Sequence, residues 1–425
     1  MNQTVSQAKR LSGTVALPGD KSVAHRTALL SMLADGSSRI EGYPASADPQ
    51  STLGCLRQLG VNVSEKAGAL RIEGAGLNGL QPPDEPLDCG NSGTTMRLLA
   101  GILAGQPFRS VLTGDTSLRS RPMARIADPL RQMNATVELD DGCAPITLPG
   151  GSRLRGMTYP LPVASAQVKS CVLLAGLFAE GETTVIETTP ARDHTERMLD
   201  LDIDEAGGER RIRVQGGTPV EARTWTVPGD FSAAAFFIVA ASIVPGSALT
   251  FEGVGLNPSR TALLDVLRRM GAEIVVENER TAGGEPIGDL TVRAAPLEGA
   301  TVRDPLIPNL IDEVPVLAVA GACAEGRTEI RDAEELRVKE TDRIAAIAVG
   351  LRALGATVET FEDGLAVEGS ASLHGATVDS HDDHRVAMAL AVAGLAAEGT
   401  TTVRDAECAA VSFPAFWDEL RAATG

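Results

Sequence analysis

The sequence predicts an α/β (α+β) protein of two domains, each built from three βαβαββ repeats with buried helices, and a cleft between the domains. Three observations carry that expectation: one unit is written six times, a helix inside each unit is apolar nearly all round, and the length suits two ordinary cores. At 425 residues the chain exceeds what a single hydrophobic core usually organises, and two domains of roughly 200 residues follow.

The repeat is legible in ALLSMLADGSSRIEG, LLAGILAGQPFRSVLTG, LLAGLFAEGETTVIE, FIVAASIVPGSALTFEG, LAVAGACAEGRTEIRD and LAVAGLAAEGTTTVRD. Each is an Ala/Leu-rich helix, a stop glycine and a short β-branched strand. Those glycines (Gly36, Gly105, Gly181, Gly246, Gly326 and Gly399) are expected in the left-handed conformation that ends a helix. A second block, LRQLGVNV, LRQMNATV, LRRMGAEI and LRALGATV, reads as an amphipathic helix end, a turn at Gly60, Asn134, Gly271 or Gly355, and another strand. The first helix of each unit should be buried and the second, with Arg on one side, should lie outside.

Pro-Gly-Asp occurs at Pro18–Asp20 and again at Pro228–Asp230, each time after an extended segment. Two such points imply a double crossover, with the first strand returning to the later domain. The expected division is an N-terminal domain of 19–229 and a C-terminal domain of 1–18 plus 230–425, closing on ligand about a hinge.

Composition narrows the function. A net charge of −18 excludes the broad basic surface that nucleic-acid binding needs, yet a local Lys/Arg cluster can still focus a positive field on small anions. The six cysteines are scattered without a CxxC pair, as in a reduced cytoplasmic protein without a zinc site. The first 20 residues lack the apolar run of a secretory signal. Phe231–Thr250 carries no charge, but Pro245, Gly246 and the repeat make it a buried helix and strand rather than a membrane span.

Polar residues gather where the buried helices begin. GDKSVAHR places Lys21, Ser22 and Arg26 at the first helix start, a cationic arrangement that is unfavourable there unless an anion joins it. GNSGTTMR offers backbone N–H groups around Gly93, or simple capping by Ser92 or Thr94. The loop GDTSLRSRPM carries Arg119 and Arg121. ASAQVKS brings Ser165, Gln167 and Lys169 to the third helix start, and ligand contact is the favoured reading for Gln167 and Lys169; Arg192 follows as a candidate phosphate clamp. In the second half, Asp312 and Glu313 precede the fifth buried helix, where capping is the plain alternative. RVKETDR holds Lys339, Glu340 and Arg343 within one expected turn, Lys339 and Arg343 sharing a face, against the alternative of a solvated surface. His384 and Arg385 open the sixth helix.

Two literal matches fail on context. GAGLNG (Gly74–Gly79) fits a dinucleotide-loop pattern, but LQPPDEP follows and cannot open a helix. HDDH (His381–His384) has no further His or Cys at ligand spacing, so no metal is expected.

Taken in order, GDKSVAHR, GNSGTTMR, the RPM loop, ASAQVKS, IDEVPVLAVA, RVKETDR, DHR and SFPAFW resemble the 5-enolpyruvylshikimate-3-phosphate synthases over nearly the whole chain. The resemblance implies transfer of the enolpyruvyl group of phosphoenolpyruvate to the 5-hydroxyl of shikimate 3-phosphate through a tetrahedral intermediate, with loss of phosphate. It implies no cofactor, no nucleic-acid or membrane partner, and a cytoplasmic monomer. Lys21, Ser22, Arg26, Ser165, Ala166, Gln167, Arg192, Asp312 and Lys339 would hold shikimate 3-phosphate. Lys21, Gly93, Arg121, Gln167, Arg343 and Arg385 would hold phosphoenolpyruvate. Asp312 would accept the hydroxyl proton, Glu340 would protonate the methylene carbon, and Lys21 would assist both substrates. Departures are Ala166 for a second serine, Glu335 for an asparagine, and Val411 for the lysine common before the terminal Ser-Phe-Pro. Ala166, Lys169 and the Arg-Asp-His segment resemble the subgroup with glyphosate-insensitive members, whereas Gly93 is the glycine of sensitive ones; appreciable inhibition is expected.

Two other readings are weaker. The sister transferase acting on UDP-N-acetylglucosamine carries a reactive cysteine before its Arg-Pro, and the loop here has none. An RNA-end-processing protein on a related repeat fold sits poorly with the acidic charge.

Overall fold

The protein is seen in a computed structural model that describes residues 1–66, 68–369 and 372–425. The chain forms two compact units: unit N, of Gly19–Pro228 and Thr281–Glu285, and unit C, of Met1–Pro18, Gly229–Arg280 and Pro286–Gly425. Each has its own hydrophobic core.

Unit N is built around helices α1 (Lys21–Leu33), α2 (Gly93–Ala104) and α3 (Ala166–Gly176), and unit C around α4 (Phe231–Ile243), α5 (Val314–Cys323) and α6 (His384–Ala396). These are the repeated Ala/Leu-rich segments. Their side chains are buried on nearly every face after the first turn, so hydrophobic burial rather than amphipathic patterning holds them. The uncharged stretch beginning at Phe231 is one of these core helices. Among the described residues no helix is long and apolar enough to cross a membrane.

Each unit's sheets follow one plan. In the third repeat Thr158–Pro160 runs parallel to Glu182–Glu187, which pairs antiparallel with Glu209–Gln215, and that strand pairs with Asp202–Ala206. A parallel pair needs a crossover, and α3 is that crossover. Three repeats borrow strands from distant sequence. Thr224–Thr226 lies parallel to Ala34–Glu41 in the first, Ser12–Thr14 lies parallel to Ala248–Gly255 in the fourth, and Gln3–Ser6 pairs with Thr400–Arg404 in the sixth.

The helix stops differ from expectation in detail. In four repeats the helix ends on an extended residue (Ala34, Val244, Ala324 or Ala397), and the glycine two positions later takes positive φ. Gly105 instead stays right-handed at φ −89. A Cβ there would sit 2.3 Å from that of Phe178, so close packing, not backbone conformation, demands this glycine. The second-block turns do take positive φ at Gly60, Asn134, Gly271 and Gly355, and the third repeat has an equivalent at Asp200 (φ 53) that its sequence disguises. Two arginines of the outer helices tie helix to strand: Arg131 and Arg352 each donate to a backbone carbonyl six residues on, at Val137 and Val358 (both 2.7 Å).

The terminal SFPAFW segment completes the core of unit C. Phe413 and Phe416 pack on Phe237 with ring centroids 6.0 and 5.5 Å away, and Phe416 also meets Phe236 edge-on. In a chain with only 3% aromatic residues, this gathering supplies much of the aromatic burial available.

Candidate active site

In unit N, side chains pin the three helix entrances together. His25 of α1 lies 2.7 Å from Thr52 and 3.4 Å from Thr95 of α2. Arg97 of α2 donates to Gln167 Oε1 of α3 at 2.6 Å, and Gln167 Nε2 donates to Thr94 at 3.0 Å. Arg26 of α1 donates to Ser170 Oγ of α3 at 2.8 Å. Lys21, Ser22, Arg26, Gly93, Ser165, Ala166 and Gln167 thus share one rim. Arg121 joins it, since a Cβ on Gly93 would lie 3.6 Å from Arg121 Nη1. Asp20, Ser92 and Ser165 cap their helices by accepting backbone N–H groups, so capping and site position coincide in Ser165.

The cations of this rim hydrogen-bond mainly to neutral groups. Arg121 donates to Asn91 Oδ1 (2.7 Å) and Ser117 Oγ (3.2 Å). Arg26 donates to Thr195 Oγ1 (2.7 Å) and the Ser22 carbonyl (2.9 Å). Lys21 has a carboxylate, Asp48 at 3.0 Å. Arg97 is buried at 7% exposure, and its Nε has no partner among the described residues. Burial lowers its pKa to about 10, with Arg125 and Arg121 pushing the same way. Burial likewise lowers Arg26 to about 10, against the pull of Glu196. Hydroxyls and amides accept hydrogen bonds without cancelling charge, so this rim remains receptive to an anion. Arg97 was not singled out from sequence; its signal is a lone charge one turn into a buried, largely apolar helix.

Unit C shows the opposite company. Arg343, 1% exposed, places Nε 2.7 Å from Asp383, Nη2 2.6 Å from Glu340 and Nη1 3.5 Å from Asp312. Arg385 donates to the Asp312 carbonyl at 3.1 Å and lies 3.6 Å from its carboxylate. Arg260, not anticipated from sequence, approaches Asp312 at 3.9 Å and Asp230 at 3.8 Å. Burial alone would lower the pKa of Arg343, but Asp383, Glu340 and Asp312 raise it. For Glu340, burial pushes upward, yet Arg343 and then Arg385 hold the carboxyl below its usual range.

Three expectations need correction. Lys169 is not offered to a ligand: it is fully buried, with Nζ 2.8 Å from Glu187, 2.7 Å from Glu196 and 3.1 Å from the Ala191 carbonyl. Its side chain falls on the inner side of the helix, where only paired charge is tolerated. RVKETDR is not one helical turn: a 3₁₀ helix ends at Val338 and a new helix opens at Arg343 under an Asp342 cap. Lys339 and Arg343 therefore share no helix face; Lys339 pairs with Glu335 at 2.5 Å. Glu313 makes no side-chain cap on α5 and instead accepts from Ser232 at the start of α4.

Arg192 is half-buried and close enough to Arg26 to lower its pKa. The HDDH segment is a helix cap, Asp383 accepting from Arg385 N and Val386 N. Among the described residues no group of three or more His, Cys, Asp or Glu is arranged to hold a metal. GAGLNG runs from a strand into a turn and lines a cavity of about 290 Å³ beside Leu33 and Asp35, at the C-terminal end of α1, away from the rim.

Residues 5–420 match the EPSP synthase (3-phosphoshikimate 1-carboxyvinyltransferase) family. The 3-phosphoshikimate 1-carboxyvinyltransferase of Salinibacter ruber is 64% identical over 99% of both chains. That of a Synechococcus strain is 54% identical over 98% of this chain and 96% of its own. A solved EPSP synthase from Acinetobacter baumannii superposes with a TM-score of 0.91 at 44% identity, covering 99% of this chain and 98% of its own.

Proposed function

The chain belongs to the EPSP synthase family and transfers the enolpyruvyl group of phosphoenolpyruvate to shikimate 3-phosphate, and we propose that its two rims divide that reaction. The residues of unit N bind anions: Lys21, Ser22, Arg26, Ser165, Ala166, Gln167 and Arg192 take shikimate 3-phosphate, while Lys21, Gly93, Arg121 and Gln167 take phosphoenolpyruvate. The residues of unit C carry the proton transfers. Asp312 accepts the proton of the 5-hydroxyl, whose oxygen attacks C2 of phosphoenolpyruvate. Glu340 delivers a proton to C3, giving the tetrahedral intermediate; a proton of the resulting methyl group then returns to a carboxylate of the site as phosphate leaves C2, which restores the double bond.

One observation carries this reading: Arg343 stands between Asp312 and Glu340, at 3.5 and 2.6 Å. An arriving phosphoenolpyruvate shares Arg343 and Arg385 with those carboxylates. The field that keeps Glu340 ionised is then partly neutralised, and its pKa rises toward the range where it can carry a proton. The same arginines neutralise charge that moves onto the departing phosphate. Asp312, which also contacts this substrate, and Lys339 complete the shikimate 3-phosphate set, and Lys339 can join it only if its pairing with Glu335 yields.

The reading takes residues 19–229 as the domain that chiefly binds shikimate 3-phosphate, and 1–18 plus 230–425 as the one bearing the acid–base groups. It treats the enzyme as a cytoplasmic monomer that closes on its ligands. Phosphate release from shikimate 3-phosphate and phosphoenolpyruvate in the presence of EDTA tests the chemistry. Release that instead required UDP-N-acetylglucosamine would move the assignment to the sister transferase. Limited proteolysis with both substrates tests closure: protection of the 228–230 crossover is expected, and an unchanged cutting pattern would count against it.

A further inference from the structure

Lys169, Glu187 and Glu196 form a buried charge cluster that neither acid–base step uses. Lys169 and Glu196 have no exposed side-chain surface, and Glu187 has 1%. Burying an ammonium with two carboxylates carries a large desolvation cost before pairing returns it, so apolar packing would have served stability as well. The cluster's connections suggest what it does. Lys169 is followed on α3 by Ser170, and Glu196 is preceded on the short helix His194–Leu199 by Thr195. The two adjacent pairs make a ladder, Lys169 to Glu196 at 2.7 Å and Ser170 to Thr195 at 2.7 Å. Arg26 lies across the second rung, with Nε on Thr195 and Nη2 on Ser170. On the other side, Lys169 donates to the Ala191 carbonyl at 3.1 Å while Ala191 N donates to Glu187 at 2.7 Å. That double hold fixes the backbone immediately before Arg192.

We propose that Lys169 is a positioning residue for shikimate 3-phosphate: through Glu187 and Glu196 it sets Arg26 and the Arg192 loop where the substrate needs them. This rests on the assignment of Arg26 and Arg192 to that substrate. Lys169 itself touches no ligand. Its influence should fall on one substrate, because Arg26 and Arg192, which the cluster holds, both belong to the shikimate 3-phosphate set.

The test uses the full chain and steady-state kinetics with each substrate varied. Lys169→Met alone leaves two buried carboxylates facing each other and is expected to lose stability. The informative variant is therefore the neutralised triple, Lys169→Met with Glu187→Gln and Glu196→Gln, checked for a cooperative melt. Its KM for shikimate 3-phosphate should rise at least tenfold, with KM for phosphoenolpyruvate and kcat within about threefold. A second variant, Thr195→Val, breaks the same connection at Arg26 with almost no change of volume and should raise the same KM about fivefold. The inference is overturned if the triple folds and keeps its KM for shikimate 3-phosphate within twofold, or if both KM values rise together. Should the triple fail to melt cooperatively, Thr195→Val decides alone, an unchanged KM overturning the idea. A wild-type chain that released no phosphate from the two substrates would instead refute the assigned reaction, so the two failures are distinguishable.

Discussion

Arg26, Arg97 and Arg121 of unit N direct their hydrogen bonds to Thr195, Ser170, Gln167, Asn91 and Ser117, whereas Arg343 of unit C alone faces Asp312, Glu340 and Asp383. The folds around them follow one plan, three buried helices whose starts meet, so the contrast lies in side-chain partners and not in architecture. A guanidinium held by neutral acceptors keeps its charge available to an incoming anion. One held by carboxylates shares it, and in exchange tunes how readily those carboxylates give up or take a proton. On the proposed assignment the first environment serves anion binding, while the second joins phosphoenolpyruvate binding by Arg343 and Arg385 to proton transfer, both built on one repeat.

The largest effect expected from that contrast is at Asp312. Asp312→Asn should lower kcat by about 10²- to 10⁴-fold, the usual worth of a positioned general base, while dissociation constants measured by calorimetry stay within a few-fold; a matching loss of affinity would blur the division. On the other rim, Arg121→Met should raise KM for phosphoenolpyruvate by roughly 10- to 100-fold, as loss of charge-assisted hydrogen bonds costs about 1.5–3 kcal/mol, with kcat much less affected.

Smaller effects probe what supports each rim. Burial behind the cations of α1 lowers the pKa of His25 from 6.5 to about 3, against the opposing pull of Asp48. The unfolded chain takes up a proton at this histidine below pH 6.5 and the folded one does not, so stability from this group is present at neutral pH. It is lost as pH falls from 6.5 toward 3. Between pH 7 and pH 5 the loss should be about 2 kcal/mol, and chemical denaturation of His25→Asn should show a correspondingly shallower pH dependence. Smallest of all, Gly93→Ala would bring a methyl group 2.7 Å from Arg97 Nη1 and 3.6 Å from Arg121 Nη1. The native chain should be inhibited appreciably by glyphosate and this variant less so, read as a shift in half-inhibitory concentration; a native inhibition curve flat into high excess would contradict it.

Much of this was legible in the sequence because repetition is. The apolar helix, its stop and the following strand recur often enough that α1 to α6 stand out without a partner in view, and polar residues at their starts mark the rims. Partnership is what sequence hides. Lys21 and Lys169 both sit at the start of a buried helix, yet one is partly exposed beside Asp48 and the other is sealed between Glu187 and Glu196; helical phase differs by too little to separate them. Arg260 enters from an irregular segment with no periodic cue. Spacing left Glu340 and Arg343 open between a site and a solvated face, the family resemblance supplied their roles, and the Asp342 cap breaks the helix between them against the apparent continuity. The paired Pro-Gly-Asp points announce that the first strand returns to the later half, but not that Gln3–Ser6 pairs with Thr400–Arg404 of the sixth repeat.

The division of labour is most directly tested at Glu340, which touches an arginine of unit C and belongs to neither binding set. For Glu340→Gln the account predicts kcat reduced at least a hundredfold, with the calorimetric dissociation constants of both substrates within about threefold of the native chain. A kcat reduced less than tenfold, or affinity lost in step with rate, would contradict it.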